Sequence, residues 1–261
     1  MNSRALAQQD EAIIRLDGVS VLFPVYQAGS RSLKKRILFH GSRGNIGRDA
    51  RDQIVVAALR DISLSVAVGD RVALIGSNGA GKTTLLRTMA GIYEPVEGAV
   101  RTRGRISPML DINLGIDVDL NGYDNIRLRA ALLGLSTLEI ERRLPEIAEF
   151  TELGDYLDMP VRTYSAGMML RLSFAVATCF QPEILLMDES ILAGDARFLG
   201  KAEARIQSFI QRASVLVLAS HSLDLTKRWC NKGLWLDQGR VRMWGPIDDV
   251  VEEYRKFVSE G

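Results

Sequence analysis

Eight residues, Gly76 to Thr83, constrain the fold of this chain more than any other stretch of its 261. They read Gly76, Ser77, Asn78, Gly79, Ala80, Gly81, Lys82 and Thr83, with Thr84 next in line. A short apolar run, Arg71 to Ile75, ends at the first glycine; a helical pattern from Lys82 to Ala90 follows and is stopped by Gly91. This is G-x-x-x-x-G-K-[ST] placed between a buried strand and a helix, as its mechanism requires. The glycines let backbone N–H groups curl around phosphate oxygens, and the helix N-terminus adds a favourable dipole. Lys82 then neutralises the β- and γ-phosphates of a nucleotide, and the Thr83 hydroxyl ligates Mg²⁺.

The rest of the chain supplies the sheet such a loop needs. Ile13 to Phe23 and Leu59 to Val68 alternate apolar and polar residues, as half-buried strands do. Ile184 to Met187 and Val215 to Leu218 are short apolar runs of the kind found in buried parallel strands. Ala99 to Met109 reads as a further extended pair, and two short strands flank the turn Asp237 to Arg240. Helical patterns run from the pentapeptide at Tyr164 to about Phe180 and from Ala202 to Arg212. A last helix opens at Pro246, with Ile247, Val250, Val251, Tyr254, Phe257 and Val258 on one face. Strands alternating with helices predict a parallel α/β core. Tyr123 to Tyr156 is helical throughout, its apolar positions being Leu128, Leu132, Leu133 and Leu135, then Leu144, Ile147 and Phe150. This middle, roughly residues 114–160, reads as an insertion into a core of about 13–113 and 161–261.

Composition removes several function classes. A net charge of +1 gives no overall basic footprint for nucleic acid. No run of 18 apolar residues occurs, so the sequence predicts no membrane-spanning helix. Nor does the N-terminus carry an apolar run that would serve as a signal peptide. Cys179 and Cys230 lack metal-ligand spacing and read as reduced thiols. Charge is instead concentrated between Gln27 and Asp52, where Arg31, Lys34, Lys35, Arg36, Arg43, Arg48 and Arg51 face only Asp49 and Asp52. This insertion, about residues 27–58, has little core patterning, and Ser32 to Phe39 suits a short basic amphipathic helix.

Asp188 and Glu189 close the apolar strand that begins at Ile184. A carboxylate at the C-terminal edge of such a strand points into the ligand crevice of an open α/β sheet. Asp188 is positioned to hold Mg²⁺, and Glu189 to orient and polarise an attacking water. About 20 residues earlier stands the pentapeptide Tyr164, Ser165, Ala166, Gly167, Met168, whose serine suits a helix N-cap.

At this point the sequence resembles the ATP-binding cassette (ABC) family, whose signature is usually Leu-Ser-Gly-Gly-Gln. Ser165 and Gly167 are kept, while Tyr164, Ala166 and Met168 depart from it; Arg171 follows three residues on. The resemblance covers about residues 13–245. It implies a P-loop NTPase core with a parallel sheet, an antiparallel β subdomain and an inserted helical subdomain, in one nucleotide-binding domain. It also implies that Ser165 and Gly167 reach the γ-phosphate of ATP held by a second copy, assembled head to tail, with Ala166 between them in the same nucleotide-binding segment. Asp195 matches the family's D-loop acid and His221 its switch histidine. Asp111 stands where a Mg²⁺-ligating glutamine is usual, and either Phe23 or Tyr26 matches the aromatic that stacks on adenine. Lys82, Glu189 and His221 are the implied catalytic set, with Thr83, Asp188 and Asp111 around the metal.

Within the family the spelling at 164–175, Gly194-Asp195-Ala196 and the basic insertion are similar to ATP-binding subunits of O-antigen and related polysaccharide exporters. That likeness implies hydrolysis of ATP with Mg²⁺ at the cytoplasmic side of the inner membrane, coupled to a separate membrane-spanning permease. The expected cargo is a lipid-linked polysaccharide, and the expected partners exclude nucleic acid. Arg31, Lys34, Lys35 and Arg36 are then expected at the membrane-facing edge, where they attract the polymer's pyrophosphate or anionic headgroups; a solvated basic loop is the alternative. Some such exporters carry a C-terminal sugar-binding domain, for which this sequence is too short. Engines of teichoic-acid, capsule, drug or import systems keep the same chemistry, and a soluble cassette acting on nucleic acid is the rival of a different class.

Overall fold

The computed structural model describes residues 12–24, 46–48, 54–179, 182–188 and 196–260. In chain order the strands are β1 (Ala12–Pro24), β2 (Ile46–Arg48), β3 (Ile54–Ala67), β4 (Arg71–Ile75), β5 (Glu97–Thr102), β6 (Ile106–Met109), β7 (Ile184–Asp188), β8 (Val215–Ala219), β9 (Lys232–Asp237) and β10 (Arg240–Pro246). The helices are α1 (Lys82–Met89), α2 (Gly122–Leu132), α3 (Thr137–Thr151), α4 (Ala166–Ala177), α5 (Ala196–Arg212), α6 (Leu223–Trp229) and α7 (Ile247–Glu260). They fall into two compact units: described residues up to Gly104 with those from Val215 onward, and Arg105–Ser214.

In the first unit an antiparallel sheet runs β2-β3-β1-β5. Its apolar alternation changes phase in mid-strand. Ile14 and Leu16 are buried on β1, then Val19 and Val21; on β3 the buried set is Val55 and Leu59, then Ile62, Leu64 and Val66. The register shifts between Leu16 and Val19, with Gly18 (φ 61°) and Asp61 (φ 52°) in left-handed conformations. A bulge on each strand therefore returns the apolar side chains to the same face after the pattern slips by one residue.

The same unit holds parallel strands in the order β10-β9-β4-β8, with β10 antiparallel to β9. Every residue of β8 and all but the first of β4 are buried. That explains why both read as unbroken apolar runs rather than alternating ones. Helix α1 buries Leu85, Leu86 and Met89. Helix α7 buries Ile247, Val250 and Val251, and Gly233 permits its close approach, since a Cβ there would lie 2.8 Å from that of Val250.

In the second unit β6 and β7 are parallel, with Ile106 opposite Ile184 and Met109 opposite Met187. The two extended segments expected over Ala99–Met109 both form, β5 pairing antiparallel with β1 and β6 with β7. Helix α3 is capped by a reciprocal Ser136–Glu139 box and buries Ile140, Leu144, Ile147 and Phe150, as its spacing predicts. Phe150 stacks on Phe174 of α4 at 6.0 Å.

Helix α2 inverts the expectation drawn from its leucines. Its buried residues are Gly122, Asn125, Ile126, Arg129 and Ala130, whereas Leu132 is 69% exposed and Leu128 lies outside as well. The buried stripe has correct helical spacing but contains an amide and a guanidinium. Each is satisfied by partners that the local sequence does not reveal. The Asn125 side chain accepts from the Asp117 amide at 2.8 Å and donates to the carbonyls of Asp117 and Asn121 at 2.8 and 2.9 Å. Arg129 donates to the Ser173 carbonyl at 3.1 Å. Burial pushes the Arg129 guanidinium down to about 10, an effect opposed by the Asp111 carboxylate.

Candidate functional site

In the first unit the chain leaves β4 at Gly76 and turns into α1 at Gly81, which is left-handed (φ 108°) at the helix N-cap. No side chain caps α1, so its first N–H groups face outward as an anion site. Ser77, Asn78 and Gly79 are exposed, and so is Thr83. Lys82 is folded beneath the loop, its ammonium donating to the carbonyls of Gly76 at 2.6 Å and Ser77 at 3.0 Å. The cradle admits glycine only: a Cβ at Gly76 would lie 2.2 Å from the Leu236 carbonyl oxygen, and one at Gly81 2.7 Å from that of Ala58. An exposed row of backbone donors above a buried cation suits a polyphosphate.

The turn expected at Asp237–Arg240 forms between β9 and β10, and it backs this loop, a contact the sequence does not show. Gly239, between β9 and β10, donates its N–H to the Ala80 carbonyl at 3.0 Å and accepts from the Arg60 amide at 2.8 Å. The Gln238-Gly239 dipeptide between two apolar runs marks the turn, but nothing local ties it to Ala80, about 160 residues earlier.

Strand β8 neighbours β4 in parallel, Leu74 opposite Ala219. His221 therefore leaves the sheet at the same edge as the phosphate loop, and its side chain is exposed. Ser222 next to it caps α6, accepting from the Leu225 amide at 3.3 Å. Phe23 near the end of β1 packs edge-on against Tyr93 at 5.1 Å, and Arg87 donates to the Tyr93 hydroxyl at 2.9 Å. The Phe23 ring is half-buried by this packing.

In the second unit Asp188 ends β7 and is half-buried. The β6–β7 register brings Leu110 and Asp111 out at the same edge. Asp111 is exposed, and its carboxylate accepts from the Asn113 amide at 2.9 Å. Ser165 is the N-cap of α4, accepting from the Met168 amide at 3.3 Å. Nothing crowds Gly167, where a Cβ would meet only the Ser165 hydroxyl at 4.0 Å. Tyr164 anchors this start: its hydroxyl donates to the Tyr156 carbonyl at 2.6 Å and lies over Gly122, where a Cβ would come within 2.6 Å of it. Burial raises the Tyr164 phenol above its ordinary value, so it stays a donor. Tyr26, Glu189 and Asp195 lie outside the described residues, as do Arg31, Lys34, Lys35 and Arg36.

A strand–loop–helix of this form, followed by a serine-capped helix and an acid-tipped strand, can be set against known proteins. Residues 59–191, about half of the chain, match the ABC transporter family. The chain belongs to that family. Among its ABC relatives, the O-antigen export system ATP-binding protein RfbE of Yersinia enterocolitica is 45% identical over 85% of this chain and 93% of its own length. RfbB of Myxococcus xanthus, named likewise, is 40% identical over 95% of this chain, which spans 56% of that longer protein. The teichoic acids export ATP-binding protein TagH of Shouchella clausii is 35% identical over 94% of this chain and 65% of its own.

Solved ABC cassettes share the fold. An ATP-binding subunit of an ABC transporter superposes with a TM-score of 0.66 at 24% identity, covering 93% of each chain. A dimeric post-hydrolysis cassette, MJ0796 bound to ADP and Pi, gives 0.63 at 19%, covering 90% of this chain and 98% of that one. The parallel core, antiparallel sheet and helices seen here are thus those of an ABC ATPase.

Proposed function

We propose that this ABC protein is the ATP-hydrolysing subunit of an exporter that moves a lipid-linked polysaccharide, O-antigen or a related polymer, across the inner membrane. The observation that carries the ATPase reading is the pairing of the uncapped N-terminus of α1, under its glycine cradle, with His221 on the adjacent strand edge. The cargo rests on the 45% identity with the Yersinia export protein over nearly its full length.

In this reading Gly76–Thr84 hold the phosphates of ATP and Lys82 swings from the loop carbonyls to the β- and γ-oxygens. Phe23 or Tyr26 stacks on adenine. Thr83, Asp188 and Asp111 offer the hard oxygen ligands that Mg²⁺ takes alongside phosphate; bound there, the ion neutralises phosphate charge. Glu189 polarises the attacking water and His221 meets the γ-phosphate. Ser165, Ala166 and Gly167 serve the ATP of a second copy, as an open helix N-terminus permits, with Asp195 at the same junction.

Among the described residues no helix is long and apolar enough to cross a membrane. In this reading a separate permease forms the passage, and this subunit sits on its cytoplasmic side. Leu114 and Leu132, 68% and 69% exposed, offer apolar side chains for it. The basic segment Arg31–Arg36 is assigned to the polymer's pyrophosphate or to anionic headgroups. A teichoic acid as cargo is the second reading, favoured by the Shouchella relative.

Glu189→Gln tests both levels at once. The purified variant should bind ATP but lose nearly all turnover, and normal hydrolysis rejects Glu189 as the base. Cells relying on the variant should keep lipid-linked polymer inside and lack it on the surface; unchanged surface polymer rejects the cargo.

A further inference from the structure

Buried hydroxyls on the helices of this protein turn back on their own backbone. Thr88 donates to the Thr84 carbonyl, Thr178 to that of Phe174 and Thr226 to that of Leu223, at 2.7–2.8 Å. This is the ordinary resting place of a hydroxyl inside a helix. Ser173 of α4 behaves differently. Fully buried, it ignores its own helix and donates instead to the side-chain oxygen of Asn113, 60 residues away, at 3.0 Å. The Asn113 backbone N–H donates to the Asp111 carboxylate at 2.9 Å, while the Ser173 carbonyl accepts from Arg129 at 3.1 Å.

The result is a continuous chain of hydrogen bonds from Asp111, through Asn113, into the middle of the helix whose N-cap is Ser165. Eight residues separate Ser165 from Ser173, about 12 Å of rigid helix. Arg129 holds the far side from the inverted polar face of α2. Burying a guanidinium is costly unless it is hydrogen-bonded, and the Ser173 carbonyl supplies that partner. A displacement of the Asp111 segment is thereby passed to α4 as a unit rather than absorbed by a loose side chain.

We propose that Asn113 and Ser173 are positioning residues for ATP hydrolysis, their hydrogen bond locking the Asp111 carboxylate to the signature helix α4. The inference rests on the reading of Asp111 as a Mg²⁺ ligand and of Ser165 as a γ-phosphate contact. Neither Asn113 nor Ser173 touches nucleotide in it; they act through Asp111 and through the helix.

The test is the Mg²⁺ dependence of ATP turnover and, read separately by titration calorimetry, of non-hydrolysable ATP-analogue binding in the full chain, measured for Asn113→Ala, Ser173→Ala, their double variant, Asp111→Ala and Asp111→Ala/Ser173→Ala. Asn113 is exposed, so its truncation leaves the core intact; thermal unfolding of each variant checks this. Each single loss of the bond should raise the half-saturating Mg²⁺ concentration about fivefold, the share of one neutral hydrogen bond. The Asn113/Ser173 double variant should be no worse than either single one, because both remove the same bond. Asp111→Ala should shift the Mg²⁺ curve at least as far, and adding Ser173→Ala to it should change nothing more. Multiplying effects in the Asn113/Ser173 pair, or a Mg²⁺ curve that moves with Asp111→Ala but not with the other two, overturns the positioning role alone. A curve unmoved by Asp111→Ala rejects the metal-ligand reading and the positioning role with it.

Discussion

Replacing Gly239 by alanine should weaken a nucleotide site from which it is separated by some 160 residues of sequence. Gln238 and Gly239 form the two-residue loop of the β9–β10 hairpin, both with positive φ (48° and 75°), as a type I′ turn requires. A side chain at φ 75° brings strain of roughly 1–2 kcal/mol. A Cβ would also stand 2.6 Å from the Ala58 carbonyl oxygen and 3.0 Å from its carbon. Both atoms are backbone, so the turn itself has to retreat from β3. Retreat stretches the two bonds that Gly239 makes, to the Ala80 carbonyl and from the Arg60 amide, each worth about 1 kcal/mol. Together these effects amount to about 3–4 kcal/mol, or roughly 6–15 °C in Tm for a chain of this size. Because Ala80 belongs to the phosphate loop, ATP affinity should fall by about fivefold, the share of one hydrogen bond. Gly69→Ala is the control: its φ is 85° but nothing lies within 4 Å of a Cβ there, leaving strain alone. Calorimetry and nucleotide titration of the two variants decide the matter. If Gly239→Ala melts no lower than Gly69→Ala and binds ATP normally, the hairpin is no buttress of the loop.

Two further outcomes are expected. Reversing Arg31, Lys34, Lys35 and Arg36 to glutamate should impair polymer export while sparing basal ATPase; export at the normal rate removes the assigned role of the basic segment. Cys179 and Cys230 are both buried, which pushes each thiol up to about 12. At pH 8 the thiolate fraction is then on the order of one in ten thousand. Iodoacetamide should leave the native protein unlabelled at pH 8 and label both cysteines in guanidinium, as read by intact-mass spectrometry. Rapid native alkylation would contradict the burial.

What the sequence discloses and what it hides follow from how far each interaction reaches along the chain. The phosphate loop is legible because strand, glycines, lysine and helix are consecutive, and the cradle they form is local. The β4 and β8 runs are legible because burial on both faces removes any need for alternation. Helix α2 is misread for the converse reason. Leu128 and Leu132 look like core, yet the side chains that go inside include Asn125 and Arg129. Hydrophobicity ranks those two last, because the cost of burying a polar group is assigned before its partners are known. Here the partners are the 117–121 segment for one and the Ser173 carbonyl, 44 residues on, for the other. A helix that turns an amide and a guanidinium inward and its leucines outward contradicts the rule only if it is treated as a free-standing element. It becomes intelligible once the inner face is seen to hold the 117–121 segment and the signature helix, which leaves the leucines to the exposed face.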